Sequence, residues 1–319
     1  MDRPIVSIIS PIFNELDNIK PFYTKINNVL HGLVEPCEVI FVNDGSTDGS
    51  IDYLKEIASR DPRVKVISFT RNFGQTPAIM AGIEHAQGDL IVTIDSDLQN
   101  DPEDIPLMIE LIKDNKVDVV SGWRNDRKDH TLTRRIPSFL ANRLISWLTG
   151  IKLHDYGCSL KIYRADVLKK VNLYGELHRF IPALVAQAGG KIMEVKVRHH
   201  PRSSGKSKYG LERVIKVFFD LFLLKFLSGY STRPIHFFGQ FGLAAFFVGF
   251  LLATYVAWLR IVQDIPGVNL ITYLILAMLF LLVGVQTILM GLLGEIGIRT
   301  YHECQHTKKI YVIEEIFPG

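Results

Sequence analysis

The sequence has few cysteines and lacks the two commonest nucleotide-binding fingerprints. Its three cysteines, Cys37, Cys158 and Cys304, stand far apart and show neither metal-ligand spacing nor a disulfide framework, which fits a reducing compartment. No G-x-G-x-x-G follows the first strand-like run, and no G-x-x-x-x-G-K-[ST] occurs anywhere. These absences argue against a dinucleotide oxidoreductase and a P-loop NTPase. The N-terminus also lacks a signal-peptide pattern, because residues 5–13 form a short strand-like run that Pro11 interrupts.

Two long stretches lack charge. The whole chain is mildly basic, with 36 Lys and Arg against 33 Asp and Glu, yet residues 235–259 and 265–294 contain none of these four residue types. Each stretch exceeds the roughly 20 apolar residues that cross a bilayer core. We therefore predict transmembrane helices at 235–260 and 270–294, followed by a cytoplasmic tail at 295–319. The alternative is a pair of buried helices in a soluble core.

The charges around the two predicted spans indicate their orientation. Arg260 is the one cation of the short loop between the spans, whereas Arg233 precedes the pair and Arg299, Lys308 and Lys309 follow it. The positive-inside rule then places both ends of the hairpin in the cytoplasm. Glycines in the second span offer small faces, which favour helix pairing and a homo-oligomer.

The first 208 residues alternate strand-like and helix-like segments. Buried apolar runs at 6–13, 38–44, 64–69, 90–94 and 117–121 are separated by segments with helical spacing. Such alternation predicts an α/β fold with a doubly wound, mostly parallel sheet.

Three carboxylates directly follow strands of this predicted sheet. Asp44 ends the second strand, and Asp95 and Asp97 end the fourth, where positions i and i+2 project to one face. In a parallel sheet these positions share the edge at which ligands bind. Converging carboxylates repel each other, so the pattern favours a hard divalent cation that carries substrate phosphates. A solvated strand-end turn is the alternative, while Asp48 is predicted to cap the following helix.

Two later segments are amphipathic. Residues 131–150 alternate basic or small polar residues with apolar ones at helical spacing, and residues 209–230 carry one narrow polar stripe. We predict an interfacial helix in the first segment and a juxtamembrane helix in the second, a soluble-core helix being the alternative for the first. Between them, residues 199–209 form a basic, glycine-containing loop whose alternative interpretation is a solvated run of charge.

Four motifs, in order, resemble those of family 2 glycosyltransferases with the GT-A fold. They are Ser10-Pro-Ile-Phe-Asn-Glu15, Asn43-Asp-Gly-Ser-Thr-Asp48, Arg71-Asn-Phe-Gly-Gln75 and Asp95-Ser-Asp-Leu-Gln99. Their spacing and the membrane pair resemble the polyprenyl-phosphate sugar transferases, a group that includes dolichol-phosphate mannose synthase and bacterial undecaprenyl-phosphate glucosyltransferases. The resemblance covers nearly the whole chain. It implies inverting transfer of a sugar from a nucleotide sugar to polyprenyl phosphate at the cytoplasmic face of a membrane, most naturally the bacterial inner membrane.

The resemblance also implies roles for individual residues. The nucleotide-sugar site would contain Pro11, Phe13, Glu15, Asp44, Asp95, Arg202, Lys206 and Lys208. The metal, Mg²⁺ or Mn²⁺, would be bound by Asp95, Asp97 and Gln99. The lipid phosphate would be bound by Arg124, Arg134, Arg135 and Ser138. Asp97 and Asp155 would be the catalytic residues.

Asp155 matches an acidic residue that the family places where the acceptor attacks. A lipid monophosphate has a second pKa near about 6, so much of it is already a dianion at pH 7 and hardly needs a base. We therefore expect Asp155 to position the acceptor or to balance charge, with a structural turn as the alternative.

The donor is expected to be UDP-glucose and the acceptor undecaprenyl phosphate, by likeness to the bacterial glucosyl group. GDP-mannose or a UDP-aminoarabinose derivative is the alternative donor, and no nucleic-acid partner is expected. A processive polysaccharide synthase would carry a Gln-x-x-Arg-Trp motif and more spans. The rival from a different class is a non-catalytic lipid-handling scaffold, against which the acidic residues Asp95, Asp97 and Asp155 argue.

Overall fold

The computed structural model describes residues 4–124, 146, 150–171, 177–201, 234–304 and 311–318. Two compact units divide the chain: Met1–Leu221 with Lys309–Gly319, and Phe222–Lys308. The predicted interfacial helix at 131–150 falls outside the described residues except at two positions, and the juxtamembrane helix at 209–230 falls outside them entirely. Both helices stay predictions.

Among the described residues, the first unit is built on an eight-stranded sheet. Its strands are β1 (Val6–Ile12), β2 (Cys37–Asn43), β3 (Val64–Phe69), β4 (Leu90–Thr93), β5 (Val119–Trp123), β6 (Lys161–Arg164), β7 (Ile192–Lys196) and β8 (Ile313–Phe317). They lie in the order β7-β5-β6-β4-β1-β2-β3-β8. Strands β6 and β8 run antiparallel to their neighbours, and the other pairs are parallel. The predicted α/β class with a mostly parallel sheet is confirmed.

Helices cover both faces of this sheet. They are α1 (Leu16–Gly32), α2 (Ser50–Arg60), α3 (Gln75–His85), α4 (Ile105–Asp114), α5 (Ala165–Leu168) and α6 (Ile181–Gln187). Alternate strand residues point to opposite faces, so Ile8 joins the core under α1, α2 and α4, whereas Ile9 joins the core under α3 and α6. Both side chains are fully buried, and each such burial contributes about 1.5–3 kcal/mol.

Strand β8 comes from the segment that the sequence analysis treated as a tail beyond a catalytic domain of residues 1–208. It pairs with β3 at the edge of the sheet. Tyr311, just before it, stacks on Phe69 with ring centroids 4.9 Å apart and donates a hydrogen bond to Glu84 at 2.7 Å. The sheet therefore includes residues on both sides of the apolar hairpin. Ile313–Phe317 places two adjacent glutamates between apolar residues, so its sequence shows no strand-like alternation, and the strand forms through its pairing with β3.

The second unit contains two long helices, α7 (Pro234–Ile261) and α8 (Gly267–Cys304). Within them, Ile235–Ile261 and Gly267–Gly297 are long and apolar enough to cross a membrane, with mean hydropathy of 2.0 and 2.5. Most of their apolar side chains are exposed, unlike those of a helix in a soluble core. Helix α8 begins before the predicted 270–294 span and ends ten residues beyond it.

Glycines join the two long helices. A Cβ atom built on Gly242 would lie 2.7 Å from the carbonyl oxygen of Gly284, and one built on Gly284 would lie 2.8 Å from that of Gly242. The two backbones thus approach each other as only glycines allow. Of the glycines that we predicted to support helix pairing and oligomers, Gly284 packs against the other helix of the hairpin and Gly297 has nothing within 4 Å; the homo-oligomer stays a prediction.

Candidate active site

The carboxyl ends of β1, β2 and β4 lie side by side. The register places Ile9 of β1 opposite Ile40 of β2 and Thr93 of β4, so the loops after these strands leave the sheet at one edge. Asn14 joins two of the loops: its backbone N–H donates to Ser46 Oγ at 3.0 Å, and its Oδ1 accepts the Thr47 N–H at 2.8 Å. This edge is the predicted position of the nucleotide site.

Asp44 fixes the loop after β3 to this edge. Its two carboxylate oxygens accept the backbone N–H groups of Phe73 at 2.7 Å and Gly74 at 2.9 Å. Burial raises the pKa of Asp44, although the two hydrogen bonds act in the opposite direction. Gly45 has φ +67°, and a Cβ atom there would lie 2.4 Å from the backbone of Arg71. Asp44 thus has a structural task in the described residues, and its nucleotide contact stays a prediction.

Two other predicted loop residues lie at the start of α1 and α2. Asp48 lies one residue before Gly49, which is the N-cap of α2, and it accepts the backbone N–H of Leu16 and of Ser50, each at 3.0 Å, so it satisfies the first N–H group of both helices. Glu15 immediately precedes α1, and its carboxylate accepts the side-chain amide of Asn18 at 2.5 Å. Pro11 and Phe13, also predicted for the nucleotide site, are half-buried on the same edge.

The Asp95–Gln99 loop is held from two sides. The carboxylate of Asp95 accepts the Gln75 side-chain amide at 2.8 Å, while its backbone N–H donates to Ser159 Oγ at 3.2 Å. The carboxylate of Asp97 accepts the backbone N–H of Gln99 at 3.1 Å and closes a tight turn. Gln75 belongs to the Arg71–Gln75 motif, so two motifs recognised separately meet at one carboxylate.

Asp95 and Asp97 together carry excess negative charge. Burial, and then the charge of Asp97, raise the pKa of Asp95 to about 6, although the Ser159 hydrogen bond and the charges of Lys161 and Arg124 lower it. No group of three or more His, Cys, Asp or Glu side chains that could hold a metal occurs in the described part of the chain. A hard cation such as Mg²⁺ needs no such group when substrate phosphates and waters supply its other ligands. The pair therefore fits a cation that is shared with a diphosphate.

Arg124 and Asp155 form a buried ion pair. Arg124 Nε and Nη2 donate to the two carboxylate oxygens at 2.7 and 3.0 Å, and the side chains are 13% and 3% exposed. Burial opposes the charge of Arg124, but the hydrogen bonds and charge of Asp155 raise the arginine's pKa above its usual value. A carboxylate engaged in this way is a poor general base, in agreement with the positioning role that we expect for Asp155.

The segment that follows Asp155 connects the two sides of the site. Ser159 Oγ accepts the Asn100 side-chain amide at 2.8 Å, and the Ser159 carbonyl accepts Thr93 Oγ1 at 3.0 Å. The Cys158 thiol faces Asn100 Oδ1 at 3.4 Å, and burial raises its pKa to about 11, so it remains a thiol. No sequence pattern distinguishes Ser159 or Asn100, because serine and asparagine are common loop residues.

Two more buried polar residues near the site have no recognisable sequence signature. Lys161, at the start of β6, is 3% exposed and donates to the carbonyl oxygens of Tyr156 and Cys158. Burial lowers its pKa. His178 shares a hydrogen bond of 2.7 Å with Thr76, the residue after Gln75. A lysine that opens a short strand gives no pattern that distinguishes it from a surface lysine.

The start of the basic loop contacts the Asp95–Gln99 loop. The Gln99 carbonyl accepts the His200 backbone N–H at 2.9 Å, and the His200 ring pairs with Asp101 at 2.9 Å. The predicted ligand residues that lie outside the described part of the chain, and stay predictions, are Arg134, Arg135, Ser138, Arg202, Lys206 and Lys208.

This fold, with its strand-end carboxylates, is that of the GT-A glycosyltransferases. Solved structures share it: glucosyl-3-phosphoglycerate synthase from Mycobacterium tuberculosis with Mn²⁺, UDP and glucosyl-3-phosphoglycerate has a TM-score of 0.55 at 18% identity, covering 70% of this chain and 79% of that chain. Mannosyl-3-phosphoglycerate synthase from Rubrobacter xylanophilus has a TM-score of 0.56 at 14% identity, covering 70% and 74%.

The sequence identifies the family within that class. Residues 7–171 match the profile of Glycosyl transferase family 2, and the chain belongs to this family. It is 41% identical over 315 residues to dodecaprenyl-phosphate galacturonate synthase of Rhizobium johnstonii, covering 98% of this chain and 93% of the relative. It is 35% identical over 308 residues to undecaprenyl-phosphate 4-deoxy-4-formamido-L-arabinose transferase of Edwardsiella ictaluri, covering 96% and 93%. The predicted family is confirmed.

Proposed function

We propose that the protein transfers a sugar from a nucleoside diphosphate sugar to the phosphate of a polyprenyl phosphate, with inversion at the sugar's C1. The observation that carries the proposal is the likeness, over almost the full length, to two relatives whose names both specify polyprenyl-phosphate products or acceptors. The site agrees with it, because a carboxylate pair suited to a metal diphosphate lies close in the structure to a buried arginine–carboxylate pair.

On the donor side, the protein must stabilise a departing nucleoside diphosphate. Negative charge grows on that diphosphate as the glycosidic bond breaks, and a divalent cation bound with it stabilises this charge. Asp95 and Asp97 would hold the cation, and Gln75 fixes the orientation of Asp95. Asp44 contributes indirectly, because it holds the backbone just before Gln75 in place.

On the acceptor side, Arg124 offers the planar donor fork that matches a phosphate. A phosphate oxygen of the lipid forms the new bond to C1 while the bond from C1 to the nucleotide's phosphate oxygen breaks, and the nucleoside diphosphate leaves. No proton has to be removed from a phosphate dianion. Asp155 therefore acts by orienting Arg124, and the incoming phosphate competes with Asp155 for the same guanidinium.

The sugar is the finer part of the proposal. Likeness to the bacterial glucosyl group favours glucose, whereas the relatives are named for galacturonate and for 4-deoxy-4-formamido-L-arabinose. We therefore propose a UDP-linked sugar of this kind as the donor. A competition assay with UDP-galacturonate, UDP-4-deoxy-4-formamido-L-arabinose, UDP-glucose and GDP-mannose measures kcat/KM for each, and a preference for GDP-mannose would contradict a UDP donor.

We further propose that both long helices cross a membrane and that the catalytic unit and both ends of the hairpin are cytoplasmic. Strand β8 follows the second helix and joins the sheet that begins before the first helix, which requires an even number of crossings. The positive charges outside the hairpin agree with this orientation. To test this orientation, single cysteines are introduced at Asp264 and at Glu314, and their labelling by an impermeant thiol reagent is measured in intact cells. Labelling at the Glu314 position alone would contradict the proposed orientation.

Sugar transfer to undecaprenyl phosphate by the purified protein with Mg²⁺ or Mn²⁺ tests the function. Asp97→Ala should lower turnover at least 100-fold and leave membrane insertion unchanged, whereas the matched control Asp52→Ala, an exposed residue of α2, should retain full activity. A wild-type protein that transfers no sugar from any of the four donors would overturn the proposal. Full activity of Asp97→Ala would remove the role given to the carboxylate pair.

A further inference from the structure

We propose that Lys161 is a positioning residue that holds the acceptor-side segment Asp155–Ser159 in its catalytic conformation and fixes the spacing between the two halves of the site. This inference rests on the proposed function for its kinetic consequence. Its structural content stands independently, because it concerns the conformation of the Asp155–Ser159 segment.

Lys161 lies between the strands that carry the two halves of the site. Lys161 is the first residue of the short strand β6, where it pairs with Thr93 at the end of β4 and with Ser121 in β5. Strand β4 leads directly to Asp95, and β5 leads directly to Arg124. A side chain at this position can therefore act on both halves.

The ammonium group of Lys161 holds the backbone next to Asp155. It donates to the Tyr156 carbonyl at 3.2 Å and to the Cys158 carbonyl two residues further on. Between these carbonyls the chain makes a turn in which the Gly157 N–H donates to Asp155 Oδ1 at 3.0 Å. The lysine thus holds the two carbonyl groups of the turn, and the Gly157 N–H of the same turn orients the carboxylate of Asp155, which binds Arg124.

The same segment touches the donor side at its other end. Ser159 Oγ accepts hydrogen bonds from the backbone N–H of Asp95 and from the side-chain amide of Asn100. A shift of the turn at Tyr156–Cys158 would therefore change the distance from Asp155 to Asp95. Displacements near 1 Å at a reacting centre can lower rates by about 100-fold.

The charge of Lys161 is also placed to balance the site. At 3% exposure it is nearly removed from water, and its electrostatic neighbours include both Asp95 and Asp155. A charge buried to this extent is retained where opposite charges and hydrogen bonds compensate it. Together with Arg124, it offsets the charge of Asp155, which would otherwise repel the incoming lipid phosphate.

The test compares Lys161→Met and Lys161→Arg with Lys65→Met as the matched control. Lys65 also lies within a strand and donates to a carbonyl oxygen, that of His85, and to Glu38, yet it is in β3 and contacts no candidate site residue. Hydrogen–deuterium exchange of the peptide that covers residues 154–160 reports the turn. Steady-state kinetics with varied donor and varied polyprenyl phosphate report its effect on the reaction.

For Lys161→Met we expect faster exchange in 154–160, a decrease in kcat of about 100-fold and an increase in the acceptor KM, with the donor KM within threefold of wild type. Lys161→Arg, which keeps the charge and enough donors, should restore kcat to within about tenfold. Lys65→Met should change neither quantity. If Lys161→Met does not fold, Lys161→Gln, which keeps a donor without the charge, carries the same test with an intermediate effect.

Unchanged exchange in 154–160 for the Met or Gln variant would overturn the inference, as would kcat within threefold of wild type. A loss of donor binding equal to the loss of turnover would also overturn it, because a merely structural role predicts uniform damage. If the wild type transfers no sugar, the proposed function fails while the exchange experiment still decides the role of Lys161.

Discussion

Removing either partner of the Arg124–Asp155 pair should destabilise the protein strongly, and removing both should cost little more. Breaking a buried ion pair from one side costs about 3–5 kcal/mol. Asp95 remains an electrostatic neighbour of Arg124, so we expect the lower end, about 3 kcal/mol, for Asp155→Asn. We expect the same for Arg124→Met, because Asp155 keeps the hydrogen bond from Gly157. The double variant should also lose about 3 kcal/mol, which gives a coupling energy of about 3 kcal/mol.

The assay is denaturant unfolding of the purified protein in detergent, followed by tryptophan fluorescence. Trp123 precedes Arg124 and stacks on His154 with ring centroids 4.3 Å apart, so it reports on this region. The control cycle uses Glu56 and Arg60, an exposed pair on α2 with side chains 46% and 75% exposed, for which coupling of about 0.3–0.5 kcal/mol is expected. Coupling below about 1 kcal/mol for Arg124 and Asp155 would refute the reasoning from burial.

The same variants separate positioning from base catalysis. If Asp155 orients Arg124, Asp155→Asn should lose the same factor in kcat at pH 7 and at pH 9, because the lipid phosphate is a dianion at both values. If Asp155 removed a proton, the variant would recover activity as hydroxide took over at high pH. Recovery by more than about tenfold relative to wild type would therefore contradict the positioning role.

Three further predictions follow from other contacts. Burial opposes ionisation of Asp61, but hydrogen bonds from Arg63 and Tyr23 lower its pKa to about 2. The ionised carboxylate therefore stabilises the fold by about 2 kcal/mol above pH 4, and this stabilisation is lost as the pH falls from 4 to 2. Acid-denaturation curves of Asp61→Asn should lack this pH-dependent loss. Gly284→Leu should lower the melting temperature, since the new Cβ meets backbone at 2.8 Å, whereas Gly297→Leu, with nothing within 4 Å, should not. Tyr311→Ala should cost about 3–5 kcal/mol and Tyr311→Phe about 1 kcal/mol, measured by unfolding and by proteolysis of the C-terminal strand; equal losses would contradict the weight given to the stack.

The sequence predicted the parts of the fold that depend on local pattern. The apolar run 39–42 is continuous because both faces of a parallel strand are buried, and the alternation of such runs with helices predicts the sheet. Strand β6 has four residues and begins with a lysine, so no window of sequence distinguishes it from a loop. It exists because β4 and β5 pair with it on both sides, which is a tertiary effect.

The candidate site likewise has features that the sequence predicts and contacts that it does not predict. The positions of Asp44, Asp95 and Asp97 at strand ends follow from the alternation alone. Their partners do not, because Asp44 meets Phe73 from 29 positions away and Arg124 meets Asp155 from 31 positions away, through loops whose paths no periodicity specifies. The family resemblance implies that Arg124 and Asp155 both serve the acceptor, which stays a prediction; their direct contact is visible only in the fold.

Strand β8 has a consequence for how the protein is made. Translation delivers this strand only after both apolar helices have left the ribosome, so the catalytic sheet stays open at β3 until the hairpin has been synthesised. Until then Phe69 lacks the Tyr311 ring, and Phe69 in turn packs edge-to-face against Phe73, whose N–H binds Asp44. The packing next to Asp44 is thus completed only after the two apolar helices have been synthesised.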